Sequence, residues 1–453
     1  MSARVLRWWL FFVMLATIPS VTSCSRSQPT VPLPTITPTH VVLISIDTCR
    51  ADHLGCYGHE SAHTPNLDAL ADEGVLFENV VGPAPITLPS HSTMLTGTIP
   101  PYHRVRDNAK FVLDDVYVTL PEILREHGYS TAAIVGAYVL DSRFGLDQGF
   151  DHYDDDFDDA ENLPGSLDRR AAEVTDHAIE WLDEHHDQKG FLFLHYFDPH
   201  MAYDPPAPWN SRFADEPYLG EIAYTDDCIG RVIQKLKDLG IYDTTLLLVT
   251  SDHGEMLGEH GEMTHTYFIY QGVVRVPWIV KLPKPADKHH NRLQIESAVR
   301  IPAVAGVVDI APTICGLLSL KMPGQVQGAD LSAWLCGSKP TTVDRALYCE
   351  SMTPTKYQAN GLFGLVTSRW KLIHSKNTEL YDLETDPGEM NNVIDVHPDR
   401  ATELLGQLEK ILEIEPPSVE SEDPEWDEGA DRRLKSLGYV GPSLRRRDFG
   451  IDA

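Results

Sequence analysis

An α/β fold built on a large, mostly parallel sheet follows from three features of this chain. Short apolar runs rich in β-branched residues recur along it. Helical patterns fill the gaps between them, and acidic residues stand at the C-terminal ends of two of the runs. Strands that alternate with helices form parallel sheets covered on both faces, and such sheets take their ligands beyond the carboxyl ends of the strands. At 453 residues the chain is long enough for one large domain with a smaller one beside it.

Residues 1–23 are expected to be a removable leader. Arg4 and Arg7 make its start positive, and Trp8 to Ile18 is an apolar run too short to span a membrane. Val21-Thr22-Ser23-Cys24 resembles a bacterial lipobox, in which Cys24 becomes the lipidated first residue. The alternative is an ordinary signal peptide with an incidental cysteine. Residues 24–39, rich in Ser, Pro and Thr, read as a tether. The expectation is an exported protein held to the bacterial cell envelope by lipid alone.

A catalytic domain is expected over residues 40–345. It begins with a buried strand at His40 to Ile46, with Asp47 at its end. Helical patterns follow at Asn66 to Glu73 and Leu120 to His127, a strand at Thr131 to Val135, and a helix at Leu167 to His185. A strand at Phe191 to Tyr196 and a helix at Tyr218 to Leu239 lead to the strand Thr245 to Thr250, which ends at Ser251-Asp252-His253-Gly254. From about Ala346 the texture changes. Gly361 to Ser368, Trp370 to His374 and Glu379 to Leu383 read as a small antiparallel sheet, and Arg400 to Ile414 as a helix, giving a subdomain over residues 346–415. Residues 416–453 form an acidic, then basic, tail.

The formal charge of −30 excludes a nucleic-acid binder, which needs a basic patch. Acidic runs at Asp151 to Asp159 and Glu420 to Glu428 are solvated segments. The cysteines after Cys24 (Cys49, Cys56, Cys228, Cys315, Cys336 and Cys349) spell no disulfide framework or zinc site. Cys315 lies in an apolar helical pattern and reads as core, and Cys336 with Cys349 is a conceivable bridge.

The chemistry concentrates at three places. Thr87-Leu88-Pro89 reads as a helix N-cap with proline inside the first turn. The Thr87 hydroxyl would then sit at the positive end of a helix, which favours an anionic ester. A divalent cation beside it would lower the hydroxyl pKa and ready it for in-line attack. The plain alternative is a cap and nothing more; Ser90 is a rival nucleophile, or a support within the helix. Asp47, Asp252 and His253, at the ends of two strands, are metal-ligand candidates that converge on one crevice. Each could instead be an ordinary loop residue.

Five segments in order resemble the sulfatase family: Asp47-Thr48-Cys49-Arg50-Ala51-Asp52, Thr87-Leu88-Pro89-Ser90-His91, Ser251-Asp252-His253-Gly254 with Arg275-Val276-Pro277, Val308 to Thr313, and Glu379 to Pro387. The resemblance spans His40 to Asn392. It implies an alkaline-phosphatase-like three-layer sandwich and metal-dependent hydrolysis of a sulfate or phosphate-type ester, in a small molecule or a glycan. Thr87 stands where the family carries a cysteine that becomes formylglycine, and needs no such maturation. It is the implied nucleophile and, with Asp47, Asp252 and His253, a metal ligand. The family suggests calcium; one carboxylate fewer and one imidazole more shift the preference toward manganese or zinc.

The resemblance also makes His200 the leaving-group acid. His91 takes the place of an arginine beside the nucleophile, and His265 lies near a second cationic position. Arg106 and Asn108 would complete the pocket wall. Each could instead be a structural or surface polar residue. Gly136-Ala137-Tyr138-Val139-Leu140 stands where many sulfatases carry Gly-Lys-Trp-His-Leu, and both charged groups are missing. A sulfate or phosphate monoester would lose much of that clamp, which a diester or phosphonate needs less. Two further readings stay open: an envelope phosphotransferase, and a non-catalytic binding protein that kept the fold. Oligomeric state is not indicated.

Overall fold

The computed structural model describes residues 38–157, 168–284, 298–338, 345–417 and 434. The leader, Cys24, nearly all of the tether and most of the tail lie outside these residues, as do Asp158 and Asp159.

Nine strands form the main sheet: β1 (His40–Ile46), β2 (Val75–Val81), β3 (Ser130–Ile134), β4 (His152–Asp154), β5 (Gly190–Tyr196), β6 (Thr245–Ser251), β7 (Arg275–Lys281), β8 (Val299–Ile301) and β9 (Ala305–Gly306). Their order is β4-β3-β5-β1-β6-β7-β2-β8, with β9 also paired to β2. Only β7 runs antiparallel to its neighbours. The central strand β1 is buried along its whole length. Side chains alternate across it: Val41 and Leu43 join one core with Leu88, Met94 and Leu95 of the helix Thr87–Thr96. Val42, Ile44 and Ile46 join a second core with the helices Ala171–His185 and Pro217–Asp238. The result is the expected three-layer sandwich.

The second sheet, β10 (Leu347–Ser351), β11 (Leu362–Val366), β12 (Trp370–His374) and β13 (Glu379–Asp382), is a fully antiparallel meander. The helix Pro398–Leu412 follows it and buries Ala401, Leu404 and Leu408. Most elements fall within a few residues of their expected positions. Two central strands, β2 and β7, were not anticipated. β2 carries Glu78 and Asn79 in mid-run, and β7 contains Pro277, which cannot donate to a ladder. The two features coincide in space. The β2–β7 register shifts between Phe77 and Val80, opposite Val276 and Trp278, so the proline sits where pairing is already interrupted.

The described cysteines are all free, so the conceivable Cys336–Cys349 bridge does not form; Cys315 is core. No helix among the described residues is long and apolar enough to cross a membrane. One motif has a purely structural role. The buried Asp309 carboxylate accepts from the Gly306 and Ala329 backbone N–H groups and from both terminal nitrogens of Arg345. It ties the approach to the second sheet onto the first core. Replacing Asp309 with Ala leaves four donors unanswered and is expected to lower unfolding stability by about 3–5 kcal/mol, measurable by denaturant titration.

Candidate active site

Register assembles the site. β1 and β6 are parallel with Ile46 opposite Ser251, so the next residue of each, Asp47 and Asp252, come side by side. β5 lies on the other flank of β1, with His195 opposite Ser45. Alternation turns Ser45, Asp47, His195 and Asp252 to the face that packs against the helix Thr87–Thr96.

All of these groups are fully buried. His253 Nε2 lies 3.6 Å from Asp47 Oδ1 and 3.4 Å from Asp252 Oδ2, without hydrogen-bond geometry to either. His253 Nδ1–H donates to Gly254 O at 2.9 Å, which leaves the Nε2 lone pair facing inward. Asp47 Oδ1, Asp252 Oδ2 and His253 Nε2 therefore share one space and lack partners. Burial pushes both carboxyls above their usual range. Burial opposes charge on His253, but Asp252 and Asp47 hold its pKa above the ordinary value. Unpaired buried carboxylates at this spacing cost several kcal/mol each, and a divalent cation removes that cost. Two carboxylate oxygens and an imidazole nitrogen fit such an ion chemically, as the donor set of a mixed N/O site.

Thr87 is the first residue of its helix, and Ile86 is the cap, so the expected Thr87 side-chain cap is not formed. Its hydroxyl instead donates to Asp47 Oδ2 at 3.4 Å, turning the oxygen toward the carboxylate pair. The helix start is closed from outside, with Leu88 N–H donating to Asn108 Oδ1 at 2.8 Å. Asn108 Nδ2 is buried and has no partner. Ser90 is not poised as a nucleophile, because its hydroxyl is spent on Ala84 O. Gly97 ends the helix in the left-handed conformation, which explains the Leu-Thr-Gly ending.

The expected histidines divide into two kinds. His91 Nδ1–H donates to Thr87 O at 2.8 Å, and His91 Nε2 pairs with the Ser45 hydroxyl at 2.9 Å. Burial pushes its pKa down to about 3. Both ring nitrogens are thus committed, and His91 braces the residue it was expected to assist. His200 is different. Its Nδ1–H donates to Met201 O, while Nε2 is buried and unpartnered; burial pushes its pKa down to about 4. His265 packs against His200 and His253, with ring centres 4.9 and 4.7 Å away. Its Nδ1 lies 3.0 Å from Glu255 Oε1, and Tyr203 donates to Glu255 Oε2 at 3.0 Å. Arg106 does not stand in the pocket wall as a free cation; it is paired with the buried Glu350 and ties the segment after the helix Pro100–His103 to β10.

His195 escaped the sequence reading. Gly136 N–H donates to His195 Nδ1 at 3.3 Å, which assigns the ring proton to Nε2, and Nε2 lies 3.3 Å from Asp47 Oδ2. Gly136 is needed for this approach, since a Cβ there would come within 2.7 Å of His195 O. Asp47 Oδ2 thus accepts from Thr87 and has the His195 ring beside it without a hydrogen bond, while Oδ1 faces the space shared with Asp252. The clue was available: a polar residue one short of the end of an apolar strand, in phase with Phe191 and Phe193. The run Ala137 to Leu140 is wholly buried, so no charge is supplied to the pocket from there.

The strand ends thus hold a buried Asp/Asp/His cluster that could bind a metal ion, beside a hydroxyl at a helix start. The sulfatase family model matches residues 39–320, more than half of the chain, and the chain belongs to that family. A second model, the C-terminal region of N-sulphoglucosamine sulphohydrolase, matches residues 258–415. An N-acetylglucosamine-6-O-sulfatase of Bacteroides thetaiotaomicron is 25% identical over 87% of this chain and 90% of its own. Among solved structures, the phosphonate monoester hydrolase of Agrobacterium radiobacter superimposes with a TM-score of 0.71 at 22% identity, covering 83% of this chain and 95% of its own. A protein solved in complex with its substrate D-glucosamine-2-N,6-O-disulfate also gives 0.71 at 22% identity, covering 86% and 100%.

Titrated with Mn²⁺, the metal-free chain is expected to take up one ion. Calorimetry should show that binding lost in Asp252→Asn and weakened about 10–100-fold in His195→Gln, which removes the imidazole packed beside Asp47.

Proposed function

We propose that this sulfatase-family hydrolase cleaves a singly charged ester, of which a sulfate ester of a sugar or other small alcohol is the leading case, with Thr87 as nucleophile. The observation that carries this reading is the convergence of Thr87 Oγ1 on the Asp47/Asp252/His253 cluster, whose inward-facing atoms have no protein partner. Asp47, Asp252, His253 and Thr87 would hold a divalent cation, which when bound would supply Lewis-acid polarisation of the ester and lower the pKa of the Thr87 hydroxyl. Manganese or zinc suits the imidazole, and calcium remains the family's suggestion.

The chain's own groups perform the remaining work. Asp47 Oδ2 orients the Thr87 hydroxyl, the His195 ring packs beside that carboxylate, and His91 fixes the Thr87 carbonyl. Thr87 Oγ1 passes its proton to Asp47 Oδ2 and attacks the sulfur, and the bond to the alcohol oxygen breaks. His200, charged once an anionic ester lies against it, gives its Nε2 proton to the departing alkoxide. Water then attacks the Thr87 ester, with neutral His200 taking one of its protons; hydrogen sulfate leaves as Asp47 returns the proton to Thr87 Oγ1, and the threonine hydroxyl is restored. Asn108 Nδ2 is a neutral donor suited to an ester oxygen.

Charge counting refines the substrate. The missing lysine and histidine were expected to count against every monoester. A sulfate monoester, however, carries one negative charge, as do a phosphodiester and a phosphonate monoester, whereas a phosphate monoester approaches two. A pocket whose added donors are neutral suits the first three. The absence of charge along Ala137 to Leu140 is the specific observation that keeps phosphodiester or phosphonate cleavage as the second reading. Thr87→Ala is expected to lose turnover by at least about 10³-fold with metal content intact. Aryl sulfate, aryl phosphodiester and aryl phosphonate assayed together should all outrun the aryl phosphate monoester. A retained rate in Thr87→Ala overturns the nucleophile, and sulfate turnover below the other two overturns the leading substrate.

The leader and Cys24 support export and lipid anchoring to the cell envelope, with the acyl chains as the only membrane contact. Cys24→Ala should move the protein from the membrane to the soluble fraction of fractionated cells; unchanged partition refutes the anchor.

A further inference from the structure

A cavity of about 420 Å³ lies between the end of β2, the start of β7 and two turns that flank β11 and β13. None of Asp47, Thr87, His200, Asp252 and His253 lines it. Its size falls in the range of small-molecule sites. Most of its charges are already answered. Arg50 is held by Asp52, Glu259 and the Glu255 carbonyl. Glu389 is paired with the buried Lys371 and accepts from Gln271 N–H.

Two lining side chains are not answered. Arg275 donates from Nη2 only to a carbonyl, that of Glu78, at 3.0 Å, and has no carboxylate partner among the described residues. Its Nε is buried and unpartnered. The Gln271 side-chain oxygen is likewise buried and accepts nothing. A lone cation calls for an anion, and a lone acceptor calls for a hydroxyl or amine donor. Val81, Val366 and Leu383 supply an apolar wall against which a ring's C–H face can pack.

We propose that this cavity is a second binding site, for a hydroxylated ring carrying one negative charge, the chemistry of an acidic or sulfated monosaccharide unit. The anion meets Arg275 and a ring hydroxyl donates to Gln271. That this unit belongs to the same glycan as the cleaved ester rests on the sulfate-ester reading above. The cavity's selectivity for a hydroxylated anion does not.

Glucuronate separates the two, because it carries the charge and the hydroxyls but no cleavable ester. Calorimetry or ligand-observed NMR is expected to show glucuronate binding the full chain at least tenfold more tightly than glucose or inorganic sulfate. Arg275→Gln should weaken glucuronate tenfold or more, and Gln271→Ala severalfold. Thr87→Ala, which disables the catalytic centre, should leave glucuronate binding unchanged. Equal binding of glucose and glucuronate, no glucuronate binding, or full binding by Arg275→Gln overturns the proposal. So does a loss confined to Thr87→Ala. If Arg275→Gln does not fold, Arg275→Lys and Gln271→Ala decide: retained affinity in the first with loss in the second supports the site, and the reverse refutes it. Failure of sulfate turnover leaves each of these measurements intact.

Discussion

Two carboxylates that cannot both be charged in a dry interior without a cation govern the architecture around them. Asp47 and Asp252 are brought together by the parallel register of β1 and β6, and nothing in their own strands neutralises them. A protein can tolerate such a pair by keeping it partly protonated or by binding a metal. The surroundings are arranged for the second course. His253 turns its lone pair inward because its other nitrogen is spent on a backbone carbonyl. Thr87 donates to one oxygen of Asp47, with the His195 ring beside it, and the other oxygen is left open.

That constraint explains which polar residues are structural. His91 stands where the resemblance implies an arginine, yet a guanidinium there would add a second positive group beside a bound cation. A neutral imidazole, pinned between Ser45 and Thr87, keeps the helix start seated on the sheet without adding charge. The positive end of the same helix is tempered by Asn108, whose oxygen takes the Leu88 N–H and whose nitrogen is left for a ligand.

Much of this was legible in the residues. Period and composition located β1, β3, β5, β6 and the long helices, because apolar runs buried on both faces are hard to mistake. The grouping of Asp47, Asp252 and His253 was legible because acid at a strand end has few structural uses. β2 and β7 were hidden because a bulge lets Glu78, Asn79 and Pro277 sit inside central strands. His195 was hidden because its value depends on register, which the sequence of one strand does not state. Arg106 misled for the complementary reason: its partner Glu350 is more than two hundred residues away, and a long-range ion pair leaves no local trace.

The same accounting bears on substrate charge. A divalent cation here would balance Asp47 and Asp252, and the fixed groups added by Thr87 and Asn108 carry no formal charge. A dianion entering this space would lack an answering cation at its outer oxygens, since Arg106 is spent on Glu350 and the stretch after Gly136 is apolar. A monoanion needs only neutral donors and the ion itself. The departures at positions 87, 91 and 136–140 are therefore mutually consistent. Together they describe one pocket that lowered its positive charge, and they fit an enzyme that selects singly charged esters by withholding the clamp a doubly charged one requires.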